Sequence, residues 1–280
     1  MRIDTLSGIR RIIGEWKDNG LTIGLVPTMG YLHEGHASLI RLAAADNDRT
    51  VVSVFVNPMQ FGPNEDLSDY PRDIERDLMV CRENGAHMVF VPEAGEMYPG
   101  GFSSFIDMEG PSAGLCGSKR PGHFRGVCTV VAKLFHIVQP DRAYFGQKDA
   151  QQLAVVRRMT DDLNFPVDIV GCPIVREPDG LALSSRNKYL NLEERKAALC
   201  LSAGLSFGRE LVEAGERSCE AVVNAVRDYI LSEPLARVDY VEIVDPKSIQ
   251  PVQTIDKPVL LAAAAYIGKT RLIDNVIIEA

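Results

Sequence analysis

A chain of 280 residues with 46% hydrophobic and 24% charged side chains has the composition of an ordinary globular protein, long enough for one large domain or two unequal ones. With 30 Lys plus Arg against 38 Asp plus Glu, the formal charge of −8 gives the chain no overall attraction to nucleic acid, so any anionic ligand must be met by a local basic site. The six cysteines share no Cys-x-x-Cys spacing, the N-terminal stretch has no apolar run of signal length, and no segment approaches the roughly 20 apolar residues of a membrane span, so a soluble cytoplasmic protein with reduced thiols is expected.

In chain order, Leu6, Ile9, Ile12, Ile13 and Trp16 recur at helical spacing and predict an amphipathic helix over 4–18. The apolar run Leu21–Pro27 reads as a buried parallel strand. A glycine turn follows, then a helix over 35–46, a strand over 50–56 and a helix over 71–84 that Gly85 ends. Met88–Val91 reads as a strand, 126–138 as a helix, 143–145 as a strand, 149–163 as a helix and 167–172 as a strand. This alternation predicts an α/β, Rossmann-like doubly wound parallel sheet over 1–175, with ligands beyond the carboxyl ends of its strands. After about residue 176 the pattern changes. Two long helices, 192–214 and 218–231, and three strands, 238–244, 259–267 and 271–278, predict a smaller α+β domain over 176–280.

The strongest local signal is Pro27–His36, PTMGYLHEGH, lying directly after the first strand and opening the next helix. Gly30 permits a tight turn, and a helix N-terminus favours phosphate through its amides and dipole. His33 and His36, three residues apart, can face one side of the first turn and donate to phosphate oxygens. A zinc site fits less well, because metalloprotease helices space their histidines at i and i+4. A structural histidine pair is the other competing reading.

Four further segments carry candidate chemistry. In Tyr144–Gln152, a strand–loop–helix passage, Gly146 allows close approach, Lys148 can meet phosphate, Asp149 can cap a helix, and Gln152 lies one turn in. In Leu183–Asn187, Ser184, Ser185 and Arg186 can grip a triphosphate, although taken alone they favour an exposed serine-rich hinge. In Asn57–Phe61, Gln60 offers a donor and an acceptor, as would an ordinary turn amide. Lys119–Arg125 is either a carboxylate or phosphate site or a solvated basic loop.

Together the motifs PTMGYLHEGH, FVNPMQF, RPGHFRGV, FGQKDAQQ and GLALSSRN, in this order and followed by RLIDN at Arg271–Asn275, resemble the pantothenate synthetase (pantoate–β-alanine ligase, AMP-forming) family nearly end to end. His33-Glu34-Gly35-His36 resembles the HIGH-type motif of the nucleotidyltransferase superfamily. The resemblance implies ATP binding by Met29, Gly30, Tyr31, Leu32, His33, Glu34, Gly35, His36, Gly146, Gln147, Lys148, Asp149, Val175, Leu183, Ser184, Ser185 and Arg186. It implies catalytic roles for His36, His33, Lys148, Ser184, Ser185 and Arg186. It also implies pantoate contacts from Gln60 and Gln152, with Gln60 near β-alanine as well. Gln147 stands where many members carry Glu, and Tyr31 where many carry Ala. The implied partners are pantoate, β-alanine and ATP, with Mg²⁺ on the ATP phosphates, no metal held by the protein itself, no nucleic acid or membrane, and a homodimer. The smaller domain is expected to close over the active site. A nucleotidyltransferase that does not ligate, and a non-catalytic nucleotide sensor, are the alternatives.

Overall fold

A computed structural model describes residues 1–63 and 65–279. By internal packing the chain divides into two units. The first comprises Met1–Glu109, Arg120–Gln147 and Val155–Pro173, and the second Gly110–Lys119, Lys148–Ala154 and Ile174–Ala280.

The first unit is built on strands β1 (Arg2–Ile3), β2 (Ile23–Thr28), β3 (Arg49–Val54), β4 (Met88–Phe90), β5 (Arg142–Gly146) and β6 (Asp168–Cys172). All pair in parallel, in the order β1-β4-β3-β2-β5-β6. The helices up to β6 are α1 (Leu6–Asp18), α2 (Glu34–Asp46), α3 (Ile74–Glu83), α4 (Ala94–Met97), α5 (Leu115–Lys119), α6 (His123–Val138) and α7 (Ala150–Asp162). Of these, α5 and the first turn of α7 fall in the second unit. The expected doubly wound sheet is therefore present. The short elements β1, α4 and α5 are additions, too brief to carry a readable periodicity.

Strand burial explains the layering. Val26, Val52, Val54, Val89 and Tyr144 point to one face, where they pack with Leu39, Ile40 and Ala43 of α2 and Cys81 of α3. The alternate residues Leu25, Val51, Phe90, Ala143 and Phe145 are also buried, under the face on which α6 contacts β2 and α1 packs on α6. A sheet covered on both faces has apolar residues at consecutive positions, which is why these strands read as continuous apolar runs.

Element ends differ from expectation where local chemistry overrides pattern. Helix α1 starts at Leu6 because the Thr5 side chain accepts from Gly8 N–H. Helix α3 starts at Ile74, capped by Asp73, rather than at Pro71.

The second unit also holds α8 (Leu192–Ala197), α9 (Leu199–Glu213), α10 (Cys219–Leu231) and the antiparallel sheet β7 (Ala236–Val244), β8 (Val259–Ile267), β9 (Thr270–Ile278). The single long helix expected over 192–214 is two helices that meet at Ala198. The capping box of Asn191 and Glu194 sets the start of the first. Leu201, Leu205 and Val212 of α9 and Val222, Val226 and Ile230 of α10 close over Val241, Leu261, Ala263 and Ile278 of the sheet.

Two close fits give checkable consequences. Gly126 of α6 lies against the turn after β3. A Cβ there would stand 2.3 Å from Met59 O and 2.6 Å from Gln60 N, both backbone atoms. Gly126→Ala should cost about 1–3 kcal/mol in denaturant unfolding, as overpacking does, whereas Gly14→Ala on α1, where a Cβ meets nothing, should not destabilise. In the second unit Arg176 binds Asp274 through two contacts, 2.6 and 2.9 Å, and the Asp274 side chain is only 3% exposed. Arg176→Ala leaves that carboxylate without its guanidinium and should cost about 3 kcal/mol. Breaking the exposed Arg158–Asp162 pair should cost under about 1 kcal/mol in the same measurement.

Candidate active site

Strand order reverses between β2 and β5, and the carboxyl ends of both strands carry sequence motifs. In open parallel sheets that reversal opens the crevice where ligands bind.

After β2 the chain turns through two consecutive left-handed residues, Gly30 at φ 85° and Tyr31 at φ 52°. Glycine takes this conformation freely, while tyrosine does so under strain. The turn is held from three sides. Gly30 N–H donates to the Thr28 hydroxyl, which itself donates to Ser53 C=O. Tyr31 and Leu32 N–H donate to the two carboxylate oxygens of Asp77, at 2.9 and 2.7 Å. Leu32 is fully buried. The Tyr31 ring lies under the Arg76 guanidinium, 5.2 Å from it.

His33 is the N-cap of α2. Its Nδ1 accepts from Gly35 N–H at 3.1 Å, and His36 Nδ1 accepts from His33 N–H at 3.3 Å, a reciprocal capping box made of two imidazoles. This changes the expectation that the first-turn amides stand open to phosphate. Gly35 N–H is taken by the His33 ring, and His36 N–H by His33 C=O. Because backbone N–H groups can only donate, each Nδ1 must carry a lone pair, and the ring proton sits on Nε2. The two rings, 4.1 Å apart, therefore carry their Nε2–H donors side by side at the helix start. The Glu34 carboxylate is paired with Arg41.

After β3, Asn57 organises the second motif. Its Oδ1 accepts from Met59 N–H and from the Tyr98 hydroxyl, and its Nδ2 donates to Gly126 C=O and to Gln60 Oε1. Burial pushes the Tyr98 hydroxyl well above its ordinary range, keeping it a donor. Gln60 Oε1 is thus occupied, and Nε2 points to Met29 Sδ at 3.0 Å. Gln60 C=O accepts from His123 Nδ1 at 2.9 Å. Arg120 donates to Glu65 and approaches His123 Nε2 at 3.0 Å. Burial alone would raise the Glu65 carboxyl, but Arg120 outweighs it and holds the group below its ordinary range. The segment Lys119–Arg125, expected as an anion site or a solvated basic loop, has a different part here. Its Arg120 and His123 form the frame behind Gln60, and Arg125 stacks on Phe105 at 4.1 Å.

Gly146 closes β5, and Gln147 begins a 3-10 turn through Asp149. A Cβ at Gly146 would meet no protein atom within 4 Å, so the space beside it is open and protein packing alone does not require glycine there.

The remaining candidates belong to the second unit. Lys148 C=O accepts from Asn275 Nδ2 at 2.9 Å, which gives the RLIDN motif a structural purpose: it anchors the backbone of the lysine. Among the described residues the Lys148 and Gln152 side chains make no hydrogen bond or ion pair. The neighbouring Gln151 is buried and fully committed, donating to Pro111 and Gly114 C=O and accepting from Cys116 N–H. Val175 C=O accepts from Leu183 N–H at the mouth of a hairpin whose tip is Gly180, at φ 97°. Ser184 caps a 3-10 turn, Ser185–Tyr189, by accepting from Arg186 N–H. Asn187 ties the turn to Ala182 C=O and Glu177, and Arg195 binds Glu177 and Asp179. The serine segment is therefore tied to its own hairpin by side-chain hydrogen bonds.

All six cysteines are free thiols. Burial pushes Cys81 and Cys128 up to about 12, and Cys172 and Cys200 up to about 11, so these four stay protonated near neutrality. Sequence reasoning did not single out Asp77 or Tyr98, and it gave Asn57 no role of its own within its motif. Asp77 sits at an ordinary polar position of a helix, and only the fold brings it to the β2 turn.

The family model described as Pantoate-beta-alanine ligase matches residues 2–277. A pantothenate synthetase of Ruminiclostridium cellulolyticum is 58% identical over 273 residues, covering 98% of this chain and 97% of the relative. One from Enterococcus faecalis is 56% identical over 275 residues, covering 98% of each. Among solved structures, a pantothenate synthetase from Thermus thermophilus superposes with a TM-score of 0.93 at 46% identity, covering 98% of each chain. A Francisella tularensis pantoate-beta-alanine ligase, complexed with beta-gamma ATP and beta-alanine, superposes at 0.79 with 33% identity, covering 99% of this chain and 97% of that one. The chain belongs to the pantoate–β-alanine ligase family.

Proposed function

We propose that this enzyme condenses pantoate with β-alanine using ATP, through a pantoyl adenylate, releasing AMP and pyrophosphate. The observation that carries the reading is the pair of imidazoles at the start of α2, both fixed with the proton on Nε2 at the point where the sheet order reverses. Donors held rigidly where charge develops lower the barrier without reorganising during the reaction.

In the first step a carboxylate oxygen of pantoate attacks the α-phosphorus of ATP, and the bond to the bridging oxygen of pyrophosphate breaks. His33 and His36 would donate to the phosphate oxygens as charge shifts. Lys148, Ser184, Ser185 and Arg186 would meet the departing pyrophosphate. Met29–Leu32, Gly35, Gly146, Gln147, Asp149, Val175 and Leu183 would line the nucleotide with backbone and apolar surface. Gln60 and Gln152 would hold pantoate. In the second step the amine of β-alanine attacks the acyl carbon, AMP leaves with one former carboxylate oxygen, and the amine proton passes to solvent or phosphate. Four deeply protonated thiols and two histidines engaged in capping fit direct attack better than a covalent enzyme intermediate.

Among the described residues no group of three or more His, Cys, Asp or Glu could hold a metal ion, and in this reading Mg²⁺ arrives on the ATP phosphates as part of the substrate. No helix among the described residues is long and apolar enough to cross a membrane. A cytoplasmic homodimer, with residues 176–280 closing over bound substrates, completes the proposal.

Mixing the protein with ATP, Mg²⁺, pantoate and β-alanine should release AMP over many turnovers, and only when the amine is present. Carboxylate-labelled [18O]pantoate should give AMP labelled on its phosphate and unlabelled pyrophosphate. ADP with labelled inorganic phosphate would instead show an acyl phosphate route. His36→Ala should lower kcat on the order of 10²–10³-fold with a smaller change in ATP binding. His36→Asn keeps an acceptor for His33 N–H but lacks the Nε2 donor and should lose turnover comparably. Wild-type kcat in either variant would remove His36 from the chemistry.

A further inference from the structure

The structure assigns Asp77, on α3, the task of holding the left-handed turn after β2 in the shape that places His33 at the start of α2; it is a positioning residue for the proposed reaction and rests on that reading.

The geometry is specific. Asp77 is 1% exposed, and each carboxylate oxygen takes one amide, Tyr31 on Oδ2 and Leu32 on Oδ1. The carboxylate is packed against the turn it holds: a Cβ at Gly30 would lie 2.9 Å from Asp77 Oδ2. Glycine takes positive φ freely, but the left-handed Tyr31 costs about 1–2 kcal/mol, which other interactions must offset. The two charge-assisted bonds supply that offset. The next residue along is His33, whose ring caps α2 and whose amide fixes the His36 ring. A loosened turn therefore displaces both Nε2 donors at once.

Burying a carboxylate is unfavourable, and burial raises the Asp77 pKa even though the Leu32 and Tyr31 amides oppose the rise. The helix could place an apolar residue here at less cost. What the carboxylate adds is two acceptors on rigid atoms, which no neutral side chain of the same size provides. Asparagine matches its shape but offers one acceptor and turns an N–H toward an amide N–H.

Asp77→Asn should lower kcat by about 10²-fold, the effect of a small misplacement of catalytic groups, and change the pantoate KM much less. Amide hydrogen exchange supplies a readout independent of turnover. In the wild-type protein the Tyr31 and Leu32 amides should be protected although they lie outside any helix or strand. In the variant those two should exchange faster, while Val51 and Val52 in β3 keep their protection. Fast exchange of both amides in the wild type, or wild-type kcat in Asp77→Asn, overturns the assignment. Equal loss of protection across β3 would show a general stability role and overturns it as well. If the wild-type protein releases no AMP at all, the proposed reaction fails, and the exchange data alone decide whether Asp77 holds the turn.

Discussion

A parallel strand ends by handing its last residues to a loop, and that loop must satisfy its own polar groups where the sheet no longer does. At the carboxyl ends of β2 and β3 the constraint is met by dedicated side chains: Asp77 for the turn after β2, Asn57 for the turn after β3. Each is buried, and each is bound to backbone atoms of the loop it serves. The residues proposed to meet substrate, His33, His36 and Gln60, follow directly in sequence. The loops that would display them are held by buried polar side chains, which suits donors used in electrostatic catalysis.

The fold was largely legible because both sheet faces are covered. Predominantly apolar runs, rich in β-branched residues in the first sheet, at 23–28, 50–54 and 259–267 pointed to buried strands. Helix ends were less legible, since Thr5, Asp73 and Asn191 fix them by local capping hydrogen bonds that periodicity does not register. The break at Ala198 was invisible for the same reason: the sequence on both sides of it favours helix. Among site residues, those adjacent to motif glycines could be named from the chain alone. The supporting residues could not, because Asp77 is 45 and 46 positions from the amides it binds, and Tyr98 is 41 positions from Asn57. Their importance is created by topology. The basic loop at 119–125 shows the converse. Its charges suggested an anion site or a solvated loop, and spacing could not show that Arg120 pairs with Glu65 and lies against His123.

The second unit repeats the principle with different means. Asn275 anchors the carbonyl of Lys148, and Arg176, Asn187 and Arg195 brace the loop that ends in Ser184–Arg186. These bracing residues touch no proposed ligand, and they tie the serine-rich segment to its neighbours. Gln151 and Gln152, adjacent and chemically identical, divide the labour: one is spent on three backbone partners, the other retains its amide.

The amide of Gln60 carries a consequence for recognition. Met59 N–H can only give a proton and Gly126 C=O can only receive one, so between them they leave Asn57 a single orientation. Asn57 then imposes the orientation of Gln60, whose oxygen is turned inward and whose nitrogen faces the thioether of Met29. Glutamine is ordinarily ambivalent, able to greet a donor or an acceptor by flipping over. Here the choice has been made by the backbone two links away. Whatever meets Gln60 Nε2 must bring a lone pair: a carboxylate or hydroxyl oxygen qualifies, while an ammonium group or the N–H edge of a carboxamide does not.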